Sequence, residues 1–233
     1  MIPVVAAVVA SYLLGSIPSA YIAGKSRGID LRKHGSGNLG ATNVMRVLGT
    51  KIGLFVFAVD MTKGAIPVIF FPRWISAADL PFGDPIIMAI ICGLAAIVGH
   101  VRPIYLKFGK GGKGVATAAG MFLALAPVPT SLTLLIFAVV LLASGYVSLG
   151  SLTSAAMLPV LLALTVGRRS PVFVISVVVA VLVFWTHRAN ITRLRNGEEH
   201  RFGKRGLPSK SPAAPLAIGL VIVVAIFIAS RMT

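Results

Sequence analysis

Acidic residues are scarce in this chain. Its 233 residues include only Asp30, Asp60, Asp79, Asp84, Glu198 and Glu199, against 22 Lys and Arg. The six are scattered, so a hydrolase built on two paired carboxylates is nearly excluded. Cysteine is scarcer still. Cys92 stands alone inside an apolar run, which removes an intrachain disulfide and a Cys-rich metal site. The four histidines are widely spaced and no His-Glu-x-x-His pattern occurs, so no metal is expected, and no cofactor is implied. No serine sits in a Gly-x-Ser-x-Gly elbow. Charge of both signs together makes up 12% of the chain, roughly half the ~25% of a soluble domain. There is too little to coat a water-facing surface, which excludes a soluble single domain as the default.

Long apolar runs fill the space that charge leaves. Hydrophobic residues make up 57% of the chain and the mean hydropathy is +0.93. The fold class expected is all-α, a polytopic transmembrane helix bundle. Apolar runs lie at 2–23, 52–71, 85–101, 114–126, 130–147, 149–166, 170–187 and 213–230. The first lacks a basic leader and is too long for a signal-peptide core, so it reads as a span. Its second half carries Gly15, Ser16, Pro18 and Ser19, residues that distort a helix. Pro127-Val128-Pro129 and the stretch from Gly145 to Ser151 separate later runs. No internal repeat is evident.

The net charge of +16 is unevenly placed. Six basic residues fall in 25–51, four in 101–113 and seven in 187–212. Cytoplasmic loops carry such an excess, so these three are expected inside and the N-terminus outside. Three short crossings must then fit between residues 114 and 168, leaving Arg168 and Arg169 on the outer side. Seven spans result over residues 1–202. Residues 203–233 read as a basic linker and an appended eighth helix, Ala214 to Ser230. The basic residues are interrupted by long apolar stretches, so nucleic acid is not an expected partner; anionic membrane lipid and anionic substrate are.

Four of the inner segments carry unusual chemistry. The first contains His34-Gly35-Ser36-Gly37-Asn38-Leu39-Gly40-Ala41-Thr42-Asn43 and then Arg46. Alternating glycines let backbone amides converge on an anion, Ser36, Asn38, Thr42 and Asn43 add neutral donors, and Arg46 adds a planar fork. In the second, Gly109-Lys110-Gly111-Gly112-Lys113-Gly114 leads into a helix N-terminus, a ready phosphate site. It is not a nucleotide P-loop, because Gly112-Lys113 is followed by Gly114 and Lys107 stands five residues before Gly112. In the third, His187, Asn190 and Arg193 recur every three residues and would share a face of one continuing helix. The fourth, Tyr146-Val147-Ser148-Leu149-Gly150-Ser151, is expected at a turn. Asp60 and Lys63, inside the second span, are spaced to pair, and read first as structural.

These motifs, in this order, resemble the acyl-phosphate-dependent glycerol-3-phosphate acyltransferases of bacterial membranes, the PlsY family. Gly15-Ser16-Ile17-Pro18-Ser19 and Gly35-Ser36-Gly37-Asn38 with Gly40-Ala41-Thr42-Asn43 are similar to the first signature. Lys110 to Thr117 resembles the second, and His187-Arg188-x-Asn190-Ile191-x-Arg193 with Gly197-x-Glu199 the third. Asp60-x-x-Lys63-Gly64 and Tyr146 to Leu149 also match, although Gly145 stands where a basic residue is expected. The resemblance implies a seven-helix enzyme that moves a fatty acyl group from acyl phosphate to the 1-hydroxyl of glycerol 3-phosphate. It implies that Ser36, Gly111, Gly112 and Lys113 hold the acyl-phosphate head, with Gly37, Asn38, Thr42, Asn43 and Gly114 as further substrate-binding residues of the two loops. Arg46, Ser148, His187 and Asn190, with Arg193, would hold glycerol 3-phosphate. Either His187 or a substrate phosphate oxygen takes the hydroxyl proton. A soluble enzyme that forms acyl phosphate is an expected partner.

Two rival readings are an organophosphate transporter and a basic assembly protein of the membrane surface. A carrier needs access to its site from both sides, whereas the unusual residues here cluster on one. In a Cys92→Ala background, single cysteines at Ser26, Lys110 and Arg195 should therefore all react with an impermeant maleimide only in inverted vesicles. Labelling of any one from the outer face would break the orientation.

Overall fold

The computed structural model describes residues 1–202, which form α-helices and short 3-10 turns with no strand among them. The expected eighth helix, Ala214 to Ser230, lies outside the described residues. The chain divides into two compact units, Met1–Pro127 and a second from Val128 onward.

The first unit contains α1 (Ile2–Ser16), α2 (Ser19–Lys25), α3 (Ala41–Leu48), α4 (Thr50–Phe70), α5 (Pro85–Val101) and α6 (Val115–Leu125). Pro18 cannot supply an amide to a continuing helix, so the first apolar run breaks at Ile17-Pro18 into α1 and α2. Two reciprocal glycine contacts bring the helices close. On α1 and α5, a Cβ at Gly15 would overlap the Ala96 carbonyl and one at Gly99 the Tyr12 carbonyl. On α4 and α6, Gly64 lies on Thr117 and Gly120 on Met61 in the same way. Between helices that share an apolar surrounding, close backbone approach replaces hydrophobic burial as the source of attraction.

The second unit contains α7 (from Pro127 to Ser144), α8 (Val147–Thr165), α9 (Pro171–Thr186) and α10 (Arg188–Arg195). α8 packs on α9, and Ile136, Val140, Leu149 and Leu161 form the local core. Outward positions stay apolar. Leu142 is 85% exposed, and Val174, Val178 and Val181 line one face of α9. In water such a surface would drive aggregation; against lipid it carries no penalty.

Among the described residues, five helical stretches are long and apolar enough to cross a membrane, or six if the bent pair α9–α10 counts as one. The expected span at 114–126 is the exception. α6 has 11 residues, about 16 Å at 1.5 Å per residue against a hydrocarbon core of about 30 Å. The breaks are also sharper than expected. α7 begins on Pro127 itself, and α8 starts at Val147, so Ser148 and Ser151 lie in its first turns and not in a loop. Replacing Gly120 with valine should lower stability by about 1–3 kcal/mol, the usual cost of overpacking. A thermal unfolding midpoint in detergent equal to the parent's would refute the α4–α6 contact.

Candidate active site

The first glycine loop is folded by its own asparagine. Asn43, 1% exposed, donates its side-chain amide to the carbonyls of Leu31 (3.2 Å) and His34 (3.0 Å), and its Oδ1 accepts the Ser36 amide at 2.8 Å. Both Nδ2 hydrogens are thereby spent on the chain, so the expectation that Asn43 donates to substrate gives way to a shaping role. Gly35 and Gly37 adopt φ of 61° and 70°, values that favour glycine, and the Gly37 amide turns back to His34 at 3.1 Å. Ser36 is left with an exposed side chain. Thr42 and Arg46, four residues apart on α3, share a face, and Arg46 is exposed. Before the loop, Asp30 accepts a two-pronged bond from Arg32, at 2.9 and 2.8 Å. That bond holds the Asp30 carboxyl far below the usual carboxylate range.

The second loop packs onto the end of α5. Lys107 and Phe108 take left-handed φ of 53° and 57°, strained for side chains of their size. The Gly111 amide donates to Val101 at 3.0 Å and the Gly112 amide to His100 at 3.2 Å. These amides cap the α5 carbonyls. Lys113 is half-buried, and Gly114, at φ 84°, starts α6. A positive side chain thus stands at a helix N-terminus, the two features that favour an anion there. Asn38 joins the two loops by donating to the Gly111 carbonyl at 3.4 Å.

Beneath the loops lies a buried polar cluster. Asp60 Oδ1 accepts from Ser19 Oγ at 2.6 Å, pairs with Lys63 Nζ at 2.8 Å and faces His100 Nδ1 at 3.6 Å. Lys63 also donates to the Ile17 carbonyl at 2.8 Å, at the break between α1 and α2. The expected pairing of Asp60 with Lys63 thus forms. A solvent-open pocket of about 200 Å3 is lined by Ser16, Ser19, Lys63, His100, Gly111 and Gly112, among others.

In the second unit the polar residues converge on one carboxylate. Glu199 accepts from Ser148 Oγ (3.1 Å), Asn190 Nδ2 (2.8 Å) and Arg193 Nε (2.8 Å). Asn190 and Arg193 lie one turn apart on α10 and grip it from the same face. The continuing helix expected through His187 does not occur. The chain bends by 60° there, and His187 ends α9 and begins α10. Its Nδ1 lies 2.8 Å from the Val183 carbonyl, which can only accept, so Nδ1 carries the proton and the lone pair falls on Nε2. Arg201 stacks over the Tyr146 ring and donates to its hydroxyl at 3.2 Å, which puts a guanidinium beside the turn where Gly145 stands in place of a basic residue.

The sequence reading did not rank Glu199, His100 or Ser19 as site residues. For Glu199 the available signal was an acid in a segment otherwise crowded with arginine. For His100 and Ser19 the partner, Asp60, is 40 or more positions away.

The family model described as glycerol-3-phosphate acyltransferase matches residues 5–197. The glycerol-3-phosphate acyltransferase of Geotalea daltonii is 44% identical over 195 residues, covering 84% of this chain and 95% of its own. That of Geobacter sulfurreducens is 44% identical over 192 residues, covering 82% and 94%. The crystal structure of PlsY, an integral membrane glycerol 3-phosphate acyltransferase, in its glycerol 3-phosphate form aligns with a TM-score of 0.77 at 38% identity. The alignment covers 86% of this chain and 96% of that one. The lysophosphatidic acid form gives 0.73.

Removing Glu199 leaves two buried donors and a half-exposed arginine without their acceptor. Glu199→Ala should destabilise the chain by about 1–3 kcal/mol. It should also raise the KM for glycerol 3-phosphate, the substrate that Asn190 is expected from the sequence to hold, read by initial rates in detergent. Unchanged stability together with unchanged KM would remove Glu199 from the site.

Proposed function

The chain belongs to the glycerol-3-phosphate acyltransferase family of integral membrane proteins, and we propose that it transfers a fatty acyl group from an acyl phosphate to the 1-hydroxyl of sn-glycerol 3-phosphate. The products are 1-acyl-sn-glycerol 3-phosphate (lysophosphatidate) and phosphate, and the step is the first acylation of phospholipid synthesis. The observation that carries this reading within the chain is the joining of the two glycine loops by Asn38 and Gly111, beside Lys113. The solved relative's two forms, with glycerol 3-phosphate and with lysophosphatidic acid, support the acceptor and product. The donor follows from chemistry. Among the described residues the site offers cations and neutral donors and no activated nucleophile, and such a site suits a substrate that is reactive already.

An acyl phosphate is a mixed anhydride. The 1-hydroxyl oxygen attacks its carbonyl carbon, the carbon–oxygen bond to phosphate breaks, and phosphate leaves with the electron pair. Bringing two phosphates together costs about 1 kcal/mol per unit-charge pair at 4 Å in water, and several times more near protein. Lys113 and Ser36 offset that repulsion at the donor head, on loops that Gly111 and Gly112 help to shape. Arg46, Ser148, His187 and Asn190, with Arg193, hold glycerol 3-phosphate. Holding both substrates also removes much of the entropic barrier. The hydroxyl proton goes to His187 Nε2 or to a substrate phosphate oxygen; the Val183 bond leaves the lone pair on the nitrogen that the first route requires.

The protein crosses the bacterial inner membrane seven times within 1–202, with short α6 as one crossing, the N-terminus outside and the three basic loops at the cytoplasmic face. Residues 203–233 are an appended element. A soluble acyl-phosphate-forming enzyme supplies the donor. The intramembrane Asp60 and Lys63 are bonded to each other, Ser19 and Ile17, which supports the structural reading of the pair over a carrier's ion path.

Purified chain in detergent should turn over acyl phosphate and glycerol 3-phosphate without a sealed compartment. Counterflow in vesicles with no turnover would make it a carrier. Lys113→Ala should cost about tenfold or more in kcat/KM, as loss of a preorganised charge does; near-parental activity would remove the second loop from the donor site. His187→Gln should lower kcat and flatten the acid limb of the pH–rate profile if the histidine is the base. A parental profile with only a raised KM for glycerol 3-phosphate would assign the proton to phosphate.

A further inference from the structure

His100 lies outside the residues assigned to substrate, yet it touches the second glycine loop twice. It is 6% exposed at the last turn of α5. Its carbonyl accepts the Gly112 amide at 3.2 Å, and its ring fills the space where a side chain at Gly112 would stand. The other edge of the ring presents Nδ1 to Asp60 Oδ1 at 3.6 Å. That carboxylate is itself held, by Ser19 at 2.6 Å and by Lys63 at 2.8 Å, and Lys63 is tied to the Ile17 carbonyl. The imidazole is therefore clamped between a fixed carboxylate and the backbone of Gly112, and Lys113 is the next residue along.

We propose that His100 is a positioning residue for the phosphate-binding loop. The imidazole, oriented by Asp60, sets where Gly112 lies and through it where the Lys113 ammonium stands. The glycine at 112 is required by the ring beneath it, in addition to any backbone requirement of the loop. The inference rests on the reading that this loop holds the phosphate head of the acyl donor. Displacing a binding group by about 1 Å costs on the order of 100-fold in rate, so a small shift of the ring suffices to be felt.

A coupled pair of substitutions tests this in the full-length chain in detergent. Asparagine at position 100 places Nδ2 where the imidazole has Nδ1, so it keeps a donor facing Asp60, but it leaves a hollow where the rest of the ring stood. The methyl of Gly112→Ala clashes with the ring in the parent and fits that hollow. Each of His100→Asn and Gly112→Ala should raise the KM for acyl phosphate about tenfold, while the KM for glycerol 3-phosphate stays within about threefold. The double variant should return to within about threefold of the parent. If His100→Asn does not yield folded protein, His100→Ser with and without Gly112→Ala gives the same comparison. Losses that simply multiply, or that fall equally on both KM values, overturn the positioning role. A parent that turns over while the pair is uncoupled defeats only this inference; a parent with no turnover of acyl phosphate defeats the functional reading itself.

Discussion

The Asp60–Lys63 ion pair is the constraint on which the Met1–Pro127 unit depends. Two charges, 1% and 4% exposed, sit inside an apolar helix, where removing them from water costs several kcal/mol each. The cost is offset only because both ends are nearly saturated. The carboxylate has Ser19, Lys63 and His100 around one oxygen, and the ammonium adds the Ile17 carbonyl. That carbonyl lies at the break that Pro18 makes, and inside a membrane such a group needs a protein partner. One pair thus joins the broken first span, α4 and the end of α5. A neutral apolar pair could fill the same volume, but it could neither cap the Ile17 carbonyl nor orient an imidazole.

Glycine does two different jobs in this unit. On the helices it allows contact, as Gly64 does on Thr117 and Gly120 on Met61, and the short α6 is held through these contacts in spite of its length. In the loops it was expected to turn amides outward onto an anion. The amides of Gly37, Gly111 and Gly112 instead bond to carbonyls of the chain itself. These bonds tie the loops to their own backbone, and the phosphate binding proposed above therefore rests on side chains, chiefly Lys113 and Ser36, and on the N-terminus of α6. Under that proposal affinity should track the placement of charges more than loop flexibility.

Much of the architecture was legible because apolar length is a coarse signal that one residue more or less does not disturb. The runs at 52–71, 85–101 and 170–187 fall on α4, α5 and α9 to within a few residues. Pro18 announced the break in the first span. The failures share a cause: they concern partners distant in sequence or backbone bonds that composition does not encode. Asn43 reads as a donor, and only the carbonyls of Leu31 and His34 reveal that its hydrogens are spent. Periodicity placed His187, Asn190 and Arg193 on one face, but it could not register a 60° bend at His187. Nothing local in Gly99-His100-Val101 points to Asp60.

Glu199 poses the sharper electrostatic question, because a carboxylate near a phosphate site is repulsive to its ligand. Its side chain is 7% exposed and its partner Arg193 33% exposed, so the charges meet at the edge of solvent, where the Coulombic gain is modest. Its value lies in direction. Ser148, Asn190 and Arg193 come from α8 and α10, and three donors without a common acceptor would each choose among several rotamers. A single carboxylate fixes all three for the entropy of ordering one. Arg193 neutralises the charge. The segment from 187 to 202 still carries four arginines against Glu198 and Glu199, so its net charge remains positive. The repulsion is thereby confined to a group that is already paired, while the orientation it imposes extends to three side chains at once.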